Sequence, residues 1–229
     1  MTVRKRLQGA HSGPVIVAVL ACAVLVGCSD NGIPPVGAGP TISTSGSPDA
    51  CSTPPPVGTG AQTYSAVGPV SAQPTRYVAT FITNCGTIIA TLDSRRAPAN
   101  VRSLLWLTSR HFFDDASCGR LTSAKADLEI LQCGQSTGNG TGSPGYSVPA
   151  EGLAHATYPT GTLAMSMTAG EFFFVYGPSP RLDRYPRFTP VGTITSGLDV
   201  LQRIAAAGST PATDGEPTQP VIIESFSIN

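Results

Sequence analysis

Three short stretches bring together the side chains best suited to chemistry: Cys118-Gly119-Arg120-Leu121, Ile130-Leu131-Gln132-Cys133-Gly134-Gln135 and Glu171-Phe172-Phe173-Phe174-Val175. Each is too short to bury itself alone, so they are expected to meet in a sheet. Strand alternation puts Arg120 on the face shared with Cys118 and Thr122, and puts Gln132 on the face shared with Ile130. Arg120 and Gln132 can then point the same way, beside a phenylalanine run: a small apolar pocket with a fixed donor. A guanidinium stays charged at every relevant pH, so the chemistry on offer is electrostatic donation rather than proton transfer. Hydrolytic schemes have little support. Outside the N-terminal region the histidines are His111 and His155, and neither has a Gly-x-Ser-x-Gly context or a cysteine neighbour. Asp114-Asp115 are adjacent on a loop and need not converge.

The elements that position these residues are preceded by segments of another kind. Arg4, Lys5 and Arg6 precede the apolar run Val15 to Val26, which reads as an export leader over residues 1–27. Its end, Leu25-Val26-Gly27-Cys28, resembles a bacterial lipoprotein processing box, which would make Cys28 the lipidated N-terminus. The apolar run is short for a membrane span, which takes about 20 residues. Residues 28–75 then form the expected tether: positions 29–75 hold nine of the 21 prolines and no lysine or arginine, a composition that cannot bury a core. The expected location is the outer face of the cell membrane. Lys plus Arg equal Asp plus Glu at 14 each, so no global field favours nucleic acid.

Four cysteines remain for an oxidising compartment, Cys51, Cys85, Cys118 and Cys133, with three connectivities open. Cys118 with Cys133 is favoured because the two lie on neighbouring strands, leaving Cys51 for Cys85. A metal site is not expected, since there is no CxxC and no close cysteine–histidine spacing.

The folded domain is expected over residues 76–229. Tyr77 to Ile82 and Thr87 to Leu92 flank Asn84-Cys85-Gly86 as a hairpin. Pro98 opens a helix carrying Val101, Leu104 and Leu105, with Trp106 a packing residue. Gly140-Thr141-Gly142-Ser143-Pro144-Gly145 matches GxGxxG, but no helix follows to offer free N–H groups, so phosphate binding is rejected. Strands follow at Leu163–Met167, Phe172–Tyr176 and Pro190–Ile194, with a polar turn at Ser179–Arg187. A second helix is expected behind a Ser196/Asp199 capping box and stopped by Gly208, and a last strand at Val221–Ile228.

The run from Phe113 to Leu121 followed by Ile130 to Gln135 resembles the "YDGTxFHRV … MIQGGD" stretch of cyclophilins. In the same order, Ala97-Pro98-Ala99-Asn100-Val101 resembles "APKTVxNF", Gly161 to Met167 "GxLSMAN", Glu171 to Phe174 "SQFFI", and Arg181-Leu182-Asp183 "WLDG". The resemblance implies an all-β domain with two helices, a closed antiparallel barrel of about eight strands capped by those two α-helices. It implies peptidyl-prolyl cis-trans isomerase activity on proline-containing polypeptides, without a cofactor, in a monomer. Arg120 would be the catalytic donor and Gln132 the group that holds the substrate carbonyl and orients it. Phe173, Met165, Leu182 and Ile130 would line the proline pocket. The chain departs from the family pattern at Arg181 for the pocket tryptophan, Glu129 for an aromatic, Gly119 for a histidine, and Phe188 or Pro186 for another histidine. Reduced turnover and weak binding of cyclosporin-type ligands are therefore expected. The alternative is a peptide-binding lipoprotein that keeps the fold without turnover. Glu129 is a candidate partner for Arg120 or for Arg181.

Overall fold

The computed structural model describes residues 51–57, 62–69, 74–134 and 143–229, all within one compact unit that runs from Ser45 to Asn229. The expected leader, the lipidation site Cys28, much of the tether and the first part of the Gly-rich loop lie outside the described residues. Strand β1 (Arg76–Thr83) turns at Asn84-Cys85 into β2 (Gly86–Asp93), in register from Arg76↔Asp93 to Thr83↔Gly86. Alternation does the sorting: Tyr77, Ala79, Phe81 and Thr83 are buried, whereas Val78 and Ile82 face out. Helix α1 (Pro98–Thr108) starts on Pro98, and its opening N–H groups at Ala99 and Asn100 donate to the Glu151 carboxylate at 3.1 and 2.9 Å. A carboxylate is favoured at that end of a helix.

The chain continues through β3 (Ala116–Ser117), β4 (Arg120–Thr122), a 3-10 turn at Ala124–Ala126, β5 (Ile130–Cys133), β6 (Thr162–Met165) and β7 (Phe172–Val175). Helix α2 (Pro180–Arg184) precedes β8 (Thr189–Ser196) and α3 (Leu198–Ala207); β9 (Ser209–Thr210), β10 (Asp214–Pro217) and β11 (Ile222–Ile228) complete the fold. All the strand pairs are antiparallel, in the order β3-β11-β1-β2-β8-β6-β7-β5-β4-β10-β9.

That order corrects the expected architecture. Among the described residues the structure is not a closed eight-stranded barrel with two helices but an open, eleven-stranded half-barrel with three α-helices, its ends at β3 and β9. Three of the strands were unreadable because β3, β9 and β10 are two to four residues long, and β10 (Asp-Gly-Glu-Pro) has no apolar face. Ladders hold them, with Ala116 and Ser209 as their only buried residues. The two terminal strands are only two residues long, and on β3 the Ser117 carbonyl accepts the Gly134 N–H at 3.2 Å, which limits what the sheet offers to another chain. The third helix, α2, lies within the expected polar turn and buries Leu182 alone.

The Ser196/Asp199 capping box also fails to form. Ser196 stays in β8, paired with Ile89, and Gly197 takes the N-cap position at φ 85°. A side chain at Gly197 would overlap the Thr87 carbonyl, so only glycine lets the chain leave the sheet so close to β2. Asp199 instead reaches Arg203 one turn on, at 2.7 Å.

Two apolar clusters divide the sheet's faces. The larger joins Phe81, Phe172, Phe174 and Phe226 to Phe113 and α1; the smaller holds Leu128, Ile130, Tyr158, Ala164, Phe173, Val175 and Leu182. Strand β7 is shared between them, with Phe172 and Phe174 on one face and Phe173 on the other.

Candidate active site

Arg120 enters the site from β4 directly opposite Gln132 on β5, and Gln132 lies opposite Phe173 on β7. The strand ends are locked together by a disulfide between Cys118 and Cys133; a second disulfide joins Cys51 to Cys85. Beyond the disulfide, Gly134 (φ 102°) backs onto Gly170, where a methyl group would overlap the Gly170 carbonyl oxygen. The connection between β4 and β5 is pinned by buried Thr122. Its Oγ1 donates to the Leu128 carbonyl at 2.7 Å and accepts from Ile130 N–H at 3.1 Å, while its own carbonyl accepts from the Tyr176 hydroxyl.

The partner of Arg120 is a residue that local sequence gave no reason to choose. Its Nε and Nη2 donate to the two carboxylate oxygens of Asp214, both at 2.7 Å, in the parallel fork that a guanidinium and a carboxylate favour. Asp214 lies on β10, which pairs with β4 across Asp214↔Thr122. Nη1 approaches the Gln132 Oε1 at 3.4 Å, and Gln132 Nε2 donates to Glu171 Oε2 at 3.1 Å. The four groups form one polar chain: Asp214, Arg120, Gln132, Glu171. Glu129 takes no part in it; its carboxylate lies against Gly177, near the Tyr176 hydroxyl.

The electrostatics follow from these contacts. The hydrogen bond from Arg120 holds the Asp214 carboxyl below its ordinary range, with the charges of Arg120 and Arg181 adding to the effect. The same bond raises the Arg120 pKa further, against the cost of its partial burial. Burial pushes Glu171 up, although hydrogen bonds with Ser166 and Gln132 pull it back.

Phe173, Ile130 and Leu182 meet in the smaller cluster; of these three only Leu182 also lines the open cleft, and Met165 is not with them. It is 1% exposed and packs into the larger cluster on the opposite face, opposite Phe172. The alternation of β6 decides this: Ala164, not Met165, faces Phe173. Phe173 is itself 1% exposed, beneath Phe188 with ring centroids 5.1 Å apart and planes at 85°. Tyr158 holds Phe188 in place by donating its hydroxyl to the Phe188 carbonyl at 2.6 Å. What remains open is a cleft of about 320 Å³ with Leu128, Leu182 and Phe188 as its apolar surface and Arg120, Arg181 and Arg187 around it. Among the described residues no group of three or more His, Cys, Asp or Glu side chains is placed to hold a metal ion.

Sequence reasoning missed Asp214, Glu171 and Leu128. Glu171 had a signal, since it stands where the "SQFFI" pattern has a glutamine. Asp214 had none: it is 94 residues from Arg120 in a stretch without apolar periodicity.

Comparison with known proteins concerns the domain as a whole. The family described as cyclophilin type peptidyl-prolyl cis-trans isomerase/CLD matches residues 78–228. The chain is 34% identical over 181 residues to the probable peptidyl-prolyl cis-trans isomerase B of Mycobacterium tuberculosis, covering 71% of this chain and 58% of that relative. It therefore spans less than two thirds of that relative's length. It is 32% identical over 116 residues to peptidyl-prolyl cis-trans isomerase B of Bacillus subtilis, covering 48% of this chain and 76% of the relative. Among solved structures, a Cryptosporidium parvum cyclophilin-type peptidyl-prolyl cis-trans isomerase, determined in the presence of the dipeptide Ala-Pro, superposes with a TM-score of 0.57. It shares 21% identity, over 66% of this chain and 98% of that one, a likeness of fold.

Proposed function

This chain belongs to the cyclophilin-type peptidyl-prolyl cis-trans isomerase family, and we propose that it turns over X-Pro peptide bonds in exported polypeptides, with Arg120 as the catalytic donor. The observation that carries this reading is the fixed guanidinium of Arg120 at the edge of a cleft with an apolar surface. Of its five N–H groups, Asp214 takes one on Nε and one on Nη2, and Gln132 faces one on Nη1. One N–H on each Nη is left to aim at substrate.

Rotation about an X-Pro bond crosses a barrier near 20 kcal/mol because the amide loses resonance as it twists. No covalent bond breaks. In the twisted state the proline nitrogen regains a lone pair, so a donor aimed there binds the transition state more tightly than either ground state. Asp214 reduces the net charge of the donor but fixes its direction, and direction is what a small apolar cleft can use. Gln132 holds the substrate carbonyl in this scheme, with its own amide oriented by Glu171.

A second reading has its own support. Phe173 lies buried beneath Phe188, and Arg120 is already neutralised, an arrangement suited to holding proline-containing segments without turnover. Following cis/trans exchange of a proline peptide by NMR, with the oxidised full chain and its Arg120→Ala variant, separates the two. The isomerase reading requires acceleration by the parent chain and a loss of about 100-fold or more in the variant. Binding without acceleration by either chain would establish the second reading.

The site of action proposed is the outer face of the cell membrane, with Cys28 as lipid anchor. The basic start, the apolar run and the tetrapeptide ending in Cys28 support it, as do two disulfides suited to an oxidising compartment. Mass spectrometry of the membrane-extracted protein tests this: an unmodified Cys28 would refute the anchor.

A further inference from the structure

We propose that the cleft beside Arg120 selects peptides with an acidic residue flanking the proline, through Arg181 and Arg187. This rests on the reading of the cleft as the proline-peptide site. Arg120, Arg181 and Arg187 line the same cleft, and three nearby carboxylates already have partners. Asp214 is bound to Arg120, Asp127 to Arg184 at 2.7 Å, and Asp183 accepts the Tyr158 N–H at 2.9 Å. Arg181 and Arg187 make no ion pair among the described residues. With Asp214 the one carboxylate bound to these three guanidinium groups, the cleft carries a local excess of positive charge.

That excess is not a trait of the chain at large, whose formal charge is zero. Elsewhere Arg95, Arg184 and Arg203 each lie within ion-pair distance of an aspartate, whereas Arg181 and Arg187 stand beside Arg120 on one cleft without such a partner among the described residues. Its other lining suits a proline ring: Leu128 and Leu182 are buried apolar surface, and Phe188 adds an aromatic face. A ring seated there puts its neighbouring side chains against the arginine rim. A guanidinium fork matches a carboxylate geometrically, so glutamate or aspartate at that neighbour gains what glutamine does not. Arg187 also lines a second cleft of about 390 Å³ with Ser166 and exposed Met167. It thus stands between the two depressions that an extended peptide can follow, where a charge on either side of the proline is within reach of an arginine.

The test uses two proline peptides that differ only by glutamate or glutamine beside the proline, titrated by NMR into the oxidised full chain, with exchange rates recorded in the same samples. The expected result is about fivefold tighter binding of the glutamate peptide at low salt, a preference that shrinks as salt screens the rim. In the Arg181→Gln/Arg187→Gln double variant the affinity ratio falls to about one. Equal affinities in the parent chain, a preference that survives in the double variant, or no saturable binding of either peptide would overturn the proposal. The exchange rates answer a different question. Preferential glutamate binding without acceleration of either peptide refutes the isomerase reading and leaves the acidic preference standing.

Discussion

At the scale of single residues, the polar chain Asp214–Arg120–Gln132–Glu171 has one firm end and one soft end. Asp214 is held below its ordinary value of 3.8 chiefly by the hydrogen bond from Arg120, whereas burial raises Glu171 above 4.5. On acidification Glu171 takes its proton first, while Asp214 still grips Arg120. Because its folded pKa is raised, Glu171 contributes stability that is fully present below pH 4.5 and lost as pH rises through the folded value. Glu171→Gln removes that charge and keeps a carbonyl for Gln132. Its thermal midpoint should exceed the parent's at pH 7, with the gain disappearing below pH 4.5; calorimetry at the two pH values checks this. Asp214 has the opposite sign. Its contribution is present above pH 3.8 and is lost as pH falls through its depressed value. Asp214→Asn should release Arg120 and lower NMR-measured exchange by about tenfold, the cost of disordering a positioned donor. A faster variant would mean that Asp214 restrains the guanidinium charge instead of aiming it.

Among the elements, the site depends on two strands, β4 and β5, that are three and four residues long. Such strands hold register only if something outside them does so. The Cys118–Cys133 disulfide closes a separation of 15 residues at one end, and Thr122 with the Tyr176 hydroxyl closes the other. Replacing both cysteines by serine should cost about 3 kcal/mol in denaturant unfolding by the chain-entropy argument. Exchange activity should fall with it. Burial, with the Glu129 charge adding, raises the Tyr176 hydroxyl from 10.0 to about 12. Its contribution is therefore complete below pH 10.0 and is lost as pH rises through about 12. Tyr176→Phe should cost about 1–3 kcal/mol at neutral pH, since it leaves the Thr122 carbonyl without that donor. The same variant should flatten the alkaline loss of stability between pH 10.0 and about 12, read by circular dichroism.

For the whole molecule, the segments ahead of β1 matter more than their composition suggests. Residues 51–57 and 62–69 lie against the domain. Ser52 N–H donates to the Asn84 carbonyl at 2.8 Å, and Asn84 Nδ2 returns a bond to the Ser52 carbonyl at 3.0 Å. Tyr64 meets Trp106 edge-on at 4.4 Å, and Gly68 sits so close to that indole that a methyl group would overlap it. A chain begun at Arg76 loses these contacts and the Cys51–Cys85 bridge. It should unfold at a lower temperature than the full chain, with Trp106 emission shifted to the red; as Trp106 is the only tryptophan, fluorescence reads the change directly. Unchanged emission would show that these segments do not shield the indole.

By itself the sequence determined what depends on neighbours along the chain. The β1–β2 hairpin, the Pro98 start of α1, and the alternation that sends Phe172 and Phe174 one way and Phe173 the other all follow from local spacing. So does the meeting of Arg120 with Gln132, because both sit on strands whose pattern is readable. Tertiary structure alone decided the rest. It opened the barrel, since the extra strands at β3, β9 and β10 are too short to carry a readable pattern and are made by pairing. It turned Met165 away, because only the ladder to β7 fixes which face Ala164 takes. And it gave Arg120 to Asp214 rather than Glu129, since the partner of a charge is whichever carboxylate folding brings within about 3 Å, and no local pattern encodes that distance.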